Sequence, residues 1–337
     1  MKKQEWLYEI SFMRPILLIL LVSYHAFAPY CGAWSLPVGV DTNFIYKWLA
    51  LFSRAFRLEA FVFVSGYIFA MQVVQKNKFQ SVIELAKSKF LRLIIPCWIF
   101  GSIYWLLFKT ASPLNIFTGI GHLWYLPCLF WCFIFSYVLF KKQYEYKYVL
   151  LGLTILASVS FLPLPLQLGK AMYYLLFFYM GGVFWKYTNY ISKYATKTII
   201  SILSIIFIIL LIGCNCLIEY NSLFIPDSSF YIKAILLSVN TILKVVLATT
   251  GIITLFLIAS KYMQHHSLSD TIIQIGTLGY GVYIFHQFVL RWLYYHTSIS
   301  EALGGLWLPW IGLVSAVLIS ILLTILIRKT KVGRKLI

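Results

Sequence analysis

The sequence predicts an all-α membrane protein, a bundle of about ten transmembrane helices with both termini on the cytoplasmic side. Three observations lead there. Hydrophobic residues make up 61% of the 337 and charged residues 11%, whereas a soluble domain is nearer half apolar and a quarter charged. Apolar runs of bilayer-crossing length recur along the whole chain. The basic residues gather in every second loop, as the positive-inside rule requires.

The runs lie at about residues 13–30, 57–75, 92–108, 122–140, 148–163, 171–187, 198–218, 234–259, 275–295 and 305–327. The fifth is short and the eighth long. A further apolar stretch, 44–53, precedes Arg54 and reads as an interfacial helix inside the longest outer loop, 31–56, a lid or rim facing a substrate. From a cytoplasmic start, the inner loops and tail hold about 19 Lys and Arg, from Lys2 and Lys3 to Arg334 and Lys335, and the outer loops about 7. An odd number of spans would leave the basic tail outside. The whole of 1–337 therefore reads as one integral-membrane domain with no separate soluble domain. Lys2, Lys3 and Ala26-Phe27-Ala28 imitate a cleavable leader, but Pro29 follows the cleavage-like site and Arg14 adjoins the apolar run, so the segment reads as an uncleaved first helix.

The net charge of +18 does not point to nucleic acid, because the cations fall in short clusters between apolar runs. Cys31, Cys97, Cys128, Cys132, Cys214 and Cys216 read as small buried apolar residues, and no polar neighbours complete a metal site. No internal repeat is visible, which weighs against an inverted-repeat transporter.

Within this frame a few polar residues carry chemistry. Arg14 and His25 are eleven residues apart, about three turns, which puts them on one helix face separated by ~16 Å along the axis. Arg14-Pro15 reads as a helix opening at the inner surface. Its fixed charge and planar donor fork suit a phosphate or carboxylate. His25, past mid-membrane, can take or give a proton near neutral pH. A snorkelling arginine and a structurally satisfied histidine are the plain alternatives. Arg57 and Glu59 open the second run; they pair or sit among headgroups. Ser65-Gly66 permits close approach by a helix or ligand. Lys89 and Arg92, one turn apart, serve as topology signals or hold an anion. His122, Trp124 and Tyr125 open the fourth run in an aromatic belt. Lys244 lies mid-span, four residues after Asn240, where a lysine is normally paired or used. Tyr283 and His286 are one turn apart, and a satisfied histidine is the default there.

Taken in order, Arg14-x10-His25, Phe61-Val62-Phe63-Val64-Ser65-Gly66-Tyr67, His122-Leu123-Trp124-Tyr125-Leu126 and Tyr280-Gly281-Val282-Tyr283-Ile284-Phe285-His286-Gln287 resemble the acyltransferase-3 membrane family, from residue 14 to the basic C-terminal end. Two positions depart from its pattern: Lys89-x-x-Arg92 stands where members carry Arg-x-x-Arg, and Arg57 and Glu59 where many carry a histidine and a proline. The resemblance implies transfer of an acyl group, acetyl in the commonest case, from cytoplasmic acyl-CoA to a hydroxyl of a surface or secreted polysaccharide or a lipid-linked sugar. Arg14, Lys89 and Arg92 would bind the donor. His25, with Arg14, would carry the chemistry, as general base or transient acyl carrier. Arg57, Glu59, Ser65, His122, Trp124, Tyr125, Tyr283 and His286 would face the acceptor. The expected setting is a bacterial inner membrane, with lipid around the bundle, no metal and no set oligomeric state. The competing reading is a transporter or flippase for a sugar or lipid-linked glycan, in which Lys244 would matter more than Arg14 and His25.

Overall fold

The computed structural model describes residues 8–109, 112–142, 144–226, 229–264 and 268–337, and the described residues contain helices and turns but no strand. In chain order the α-helices are α1 (Tyr8–Ala26), α2 (Phe44–Arg54), α3 (Arg57–Ala70), α4 (Val82–Lys89), α5 (Ile95–Phe108), α6 (Tyr125–Lys142), α7 (Tyr146–Ser158), α8 (Leu168–Lys186), α9 (Thr188–Ile191), α10 (Lys197–Phe224), α11 (Phe230–Met263), α12 (Asp270–Tyr295), α13 (Ile299–Arg328) and α14 (Gly333–Leu336). Each apolar run of the sequence is occupied by a helix, and seven helical stretches are long and apolar enough to cross a membrane. The protein is thus a multi-pass membrane protein. α7 is shorter than the run it occupies; it stops at Ser158, and a turn leads to Pro163 and Pro165, which cannot donate backbone hydrogen bonds. α2 forms where the interfacial helix was expected, capped by the Asn43 side chain, which accepts from the Tyr46 N–H at 3.1 Å.

The chain divides into two compact units, one running to Leu58 and resuming at Ile258, the other Glu59–Leu257. In the first unit, α1 buries Ile10, Met13, Leu17, Leu21 and His25, a stripe at three- and four-residue spacing. Gly276 of α12 lies against the Arg14 stem and His286 of α12 meets His25, so α1 and α12 run parallel. α13 returns antiparallel to α12, with Tyr294 against Gly312 and Gly281 against Thr324. Beyond His25, the chain turns through a short 3-10 helix, Ala28–Cys31, and the Tyr294 hydroxyl donates to the Ala26 carbonyl at 2.8 Å. Phe27, Tyr30, Tyr46 and Trp310 pack edge to face around this turn. The Tyr46 hydroxyl donates to the Leu306 carbonyl at 2.9 Å and accepts from the Trp310 indole at 3.1 Å. The middle of the 31–56 segment is therefore tied to α13.

The expected helix opening at Arg14-Pro15 is corrected: α1 already runs at Tyr8, and Pro15 lies inside it. Ile10 and Met13, between Glu9 and Arg14, continue its buried face. Lys244 is also corrected. It lies on an exposed face of α11, while Asn240 is buried and accepts from the Asn221 amide at 2.8 Å. Among the cysteines, Cys97, Cys128, Cys132 and Cys214 are buried as expected, Cys31 is half-buried and Cys216 exposed.

In the second unit, α3 and α8 touch backbone to backbone. A Cβ at Gly66 would overlap the Phe178 carbonyl, and one at Gly181 would overlap the Phe63 carbonyl. Ser65-Gly66 thus admits a helix, and Ser65 is turned back on its own helix, donating to the Phe61 carbonyl at 2.9 Å. Phe63, Phe69, Phe133, Phe178 and Phe256 form the aromatic core around this seam. Two π-helical segments, Met71–Gln75 and Phe90–Ile94, both pack against α6.

Candidate active site

The last turn of α1 and the middle of α12 bring two imidazoles together. His286 is 0% exposed and His25 7%. His286 Nδ1 lies 3.0 Å from the Val282 carbonyl. A carbonyl only accepts, so Nδ1 carries the proton and, in the neutral ring, Nε2 of His286 is an acceptor. His25 Nδ1 lies 3.0 Å from that Nε2 and 3.0 Å from the Leu21 carbonyl. Both of these are acceptors, so the His25 proton also resides on Nδ1, shared between them. The lone pair of neutral His25 is then on Nε2. Two carbonyls one helical turn back from their histidines thus fix both tautomers, and the direction of the pair follows: His25 donates to His286. When His25 gains a second proton, its Nδ1–H becomes a charged donor to His286, and a hydrogen bond to an ionised group is about twice as strong as a neutral one.

Aromatic and cationic side chains surround the pair. The Tyr24 ring meets His25 edge-on at 4.9 Å, and the Arg57 guanidinium lies 3.7 Å over the centre of Tyr24. Trp34 lies 5.8 Å from His25, and Tyr283 6.3 Å from His286. Arg57 is 4% exposed, so it is part of this interior. Arg14, half-buried against Gly276, sits three turns back along α1.

The second unit holds the other residues singled out in the sequence. Glu59 is 9% exposed and accepts from the Tyr173 hydroxyl at 3.0 Å, so it too is buried in protein. Tyr173→Phe removes a bond to a buried carboxylate and is expected to lower stability by about 1.5–3 kcal/mol, read as a lower thermal midpoint in detergent. Trp124 and Tyr125 cluster with Tyr174, and the Lys170 ammonium lies 3.9 Å over Trp124. His122 is buried beside Tyr104. The Lys89 ammonium sits 3.6 Å over the Phe133 ring, while Arg92 is exposed and lies within the π-helical Phe90–Ile94. The spacing of that pair is therefore not that of one α-helical turn. Trp34, Tyr24, Arg291 and Tyr173 were not singled out by the sequence. Trp34 and Tyr24 looked like ordinary aromatic content, and Arg291 like one more outer-loop cation.

Parallel and antiparallel apolar helices around a buried histidine pair define a multi-pass membrane protein. The family model described as an acyltransferase domain matches residues 7–329, and the chain belongs to the acyltransferase-3 family. It is a membrane acyltransferase by family. Neither the curated proteins nor the solved structures include a significant match.

Proposed function

We propose that the protein is an acyl-CoA-dependent O-acyltransferase of a bacterial inner membrane. It moves an acyl group, acetyl in the commonest case, from cytoplasmic acyl-CoA to a hydroxyl of a cell-surface or secreted polysaccharide or a lipid-linked sugar. The observation that carries this reading is the His25–His286 pair, whose bonding puts the lone pair of His25 on Nε2. In the proposed step, Nε2 removes the acceptor hydroxyl proton as the oxygen attacks the thioester carbonyl. The carbon–sulfur bond breaks, and the proton passes from Nε2 to the departing thiolate, giving the ester and free CoA. His286 is a positioning residue: it holds the His25 tautomer and stabilises the imidazolium. The cations assigned to the donor phosphates are Arg14, Lys89 and Arg92. Arg57, Glu59, Ser65, His122, Trp124, Tyr125 and Tyr283 remain the proposed acceptor-facing set, with Ser65 the weakest because its hydroxyl is turned to its own helix. Ten spans with cytoplasmic termini fit this scheme. The parallel run of α1 and α12 agrees with the odd number of crossings, seven, that the ten runs of the sequence place between them. The exposed position of Lys244 removes the buried cation on which the transporter reading leaned.

Initial rates at varied acetyl-CoA and acceptor test the proposal. Intersecting double-reciprocal lines are expected for direct transfer with His25 as base; parallel lines would instead make His25 Nε2 the site of a transient acyl-imidazole. His286→Ala is expected to lower kcat by roughly 10–100-fold and to shift the acid limb of the pH profile, since the imidazolium loses its acceptor. His286→Gln, whose carbonyl oxygen can replace Nε2 as acceptor, is expected to recover part of the rate. A purely packing role for His286 would leave the pH profile unmoved.

A further inference from the structure

A cavity of about 510 Å³ opens at the His25 end of the first unit, lined by Gly32, Ala33, Trp34, Ser35, Arg291 and Tyr295. Its volume is in the range of small-molecule sites. It is built from two elements. The loop after the 3-10 helix supplies Gly32 to Ser35, and α12 supplies Arg291 and Tyr295 one turn apart. The Tyr295 hydroxyl donates to the Ser35 carbonyl at 2.7 Å and joins the two walls. Trp34 is shared with the active centre: it lines the cavity and its ring lies 5.8 Å from that of His25. The Arg291 guanidinium carbon lies 4.9 Å from the centre of the Trp34 ring. The lining thus combines an indole, a phenol and a guanidinium, and it includes no carboxylate.

We infer that this cavity is the acceptor subsite and that the acceptor carries an anionic group, a carboxylate or phosphate, close to the hydroxyl that is acylated. The inference rests on the acyltransferase reading for the reaction but not for the binding. The aromatic face of Trp34 suits the C–H face of a sugar ring. A guanidinium held near an indole still offers in-plane N–H donors to an anion, in the fork geometry that matches carboxylate and phosphate. The Trp34 ring stands next to both Arg291 and His25, so a sugar on its face is near both the cation and the base. Arg14 is about three turns from His25 along α1, so Arg14 and Arg291 stand at separate levels of the unit.

Isothermal titration of the full-length protein in nanodiscs tests this with three ligands: a glucuronate-containing oligosaccharide, its carboxyl-reduced neutral counterpart, and a prenyl diphosphate sugar. The wild type is expected to bind at least one anionic ligand 10-fold or more tighter than the neutral one. Tighter binding of the oligosaccharide identifies a uronic acid as the source of the anion, and tighter binding of the diphosphate a lipid-linked sugar. Arg291→Gln is expected to abolish the preference, Arg291→Lys to restore part of it, and Trp34→Ala to weaken all sugars alike. His25→Ala is expected to bind normally. Equal binding of charged and neutral ligands, or a preference that survives Arg291→Gln, overturns the inference. Acyl transfer measured in parallel separates it from the functional reading. Transfer without anion preference leaves the acyltransferase standing and removes this subsite. Anion-selective binding without transfer to any of the ligands keeps the subsite and counts against the acyltransferase reading.

Discussion

His25→Ala is expected to lower acyl transfer by about 10²–10⁴-fold, the usual contribution of a positioned general base, while the protein keeps its helical content and its elution profile. The loss is expected in kcat more than in the KM for acetyl-CoA, because His25 acts on the proton and Arg14 lies about three turns from it. His25→Ala combined with His286→Ala should be no worse than His25→Ala alone. His286 acts through the Nδ1 bond at 3.0 Å, so once His25 is gone there is nothing left for it to orient, and residues that act as a unit are non-additive. An additive double variant would mean that His286 touches substrate in its own right. The chemistry supports the larger effect at His25, since its tautomer is set by a carbonyl on its own helix and a histidine on another.

The second large effect is on folding. Gly181→Ala is expected to destabilise the protein by about 3 kcal/mol or more, at the upper end of overpacking costs, and to reduce the yield of folded protein. The added methyl would meet the Phe63 carbonyl and lie 2.8 Å from the Tyr67 nitrogen. These are backbone atoms and cannot rotate away, so α3 and α8 would have to separate. Gly66→Ala repeats the insult from the other side of the seam, against the Phe178 backbone. Gly213→Ala on α10 is the control: nothing lies within 4 Å of the added methyl, and an exposed helical glycine replaced by alanine gains helix propensity. Thermal midpoints of the three variants in one detergent distinguish a tight seam from a general intolerance of substitution.

Much of this fold is legible in the sequence because a bilayer allows few solutions. Every buried backbone group must be satisfied inside its own segment, so long apolar runs become helices. The helix positions followed from that rule. The details that failed were local. Arg14-Pro15 reads as a helix opening because proline is favoured in a first helical turn, yet α1 already runs at Tyr8 and holds Pro15 inside it. Lys244 was expected inside because hydropathy gives depth along a span but not the direction a side chain faces around it. The π-helical register at Phe90–Ile94 likewise leaves no mark in hydrophobic spacing. At the site, Arg14, His25 and the Tyr283–His286 turn were visible as costly polar residues in apolar runs. Their meeting was not, because His25 and His286 are separated by most of the chain, and a one-dimensional pattern does not say which helices are neighbours. Trp34 and Arg291 were missed for the same reason: each is unremarkable alone and acquires a role only when α12 packs beside the loop that follows α1.

The most direct test of the account is turnover of labelled acetyl-CoA by the purified protein in proteoliposomes, with a cell-envelope glycan fraction as acceptor and His25→Ala measured alongside. Label appearing on glycan, or released slowly as acetate, with the wild type and falling by at least about 100-fold in His25→Ala is the predicted result. Equal turnover by the two proteins, both folded and equally oriented, would remove the His25–His286 pair from the chemistry and contradict the central claim.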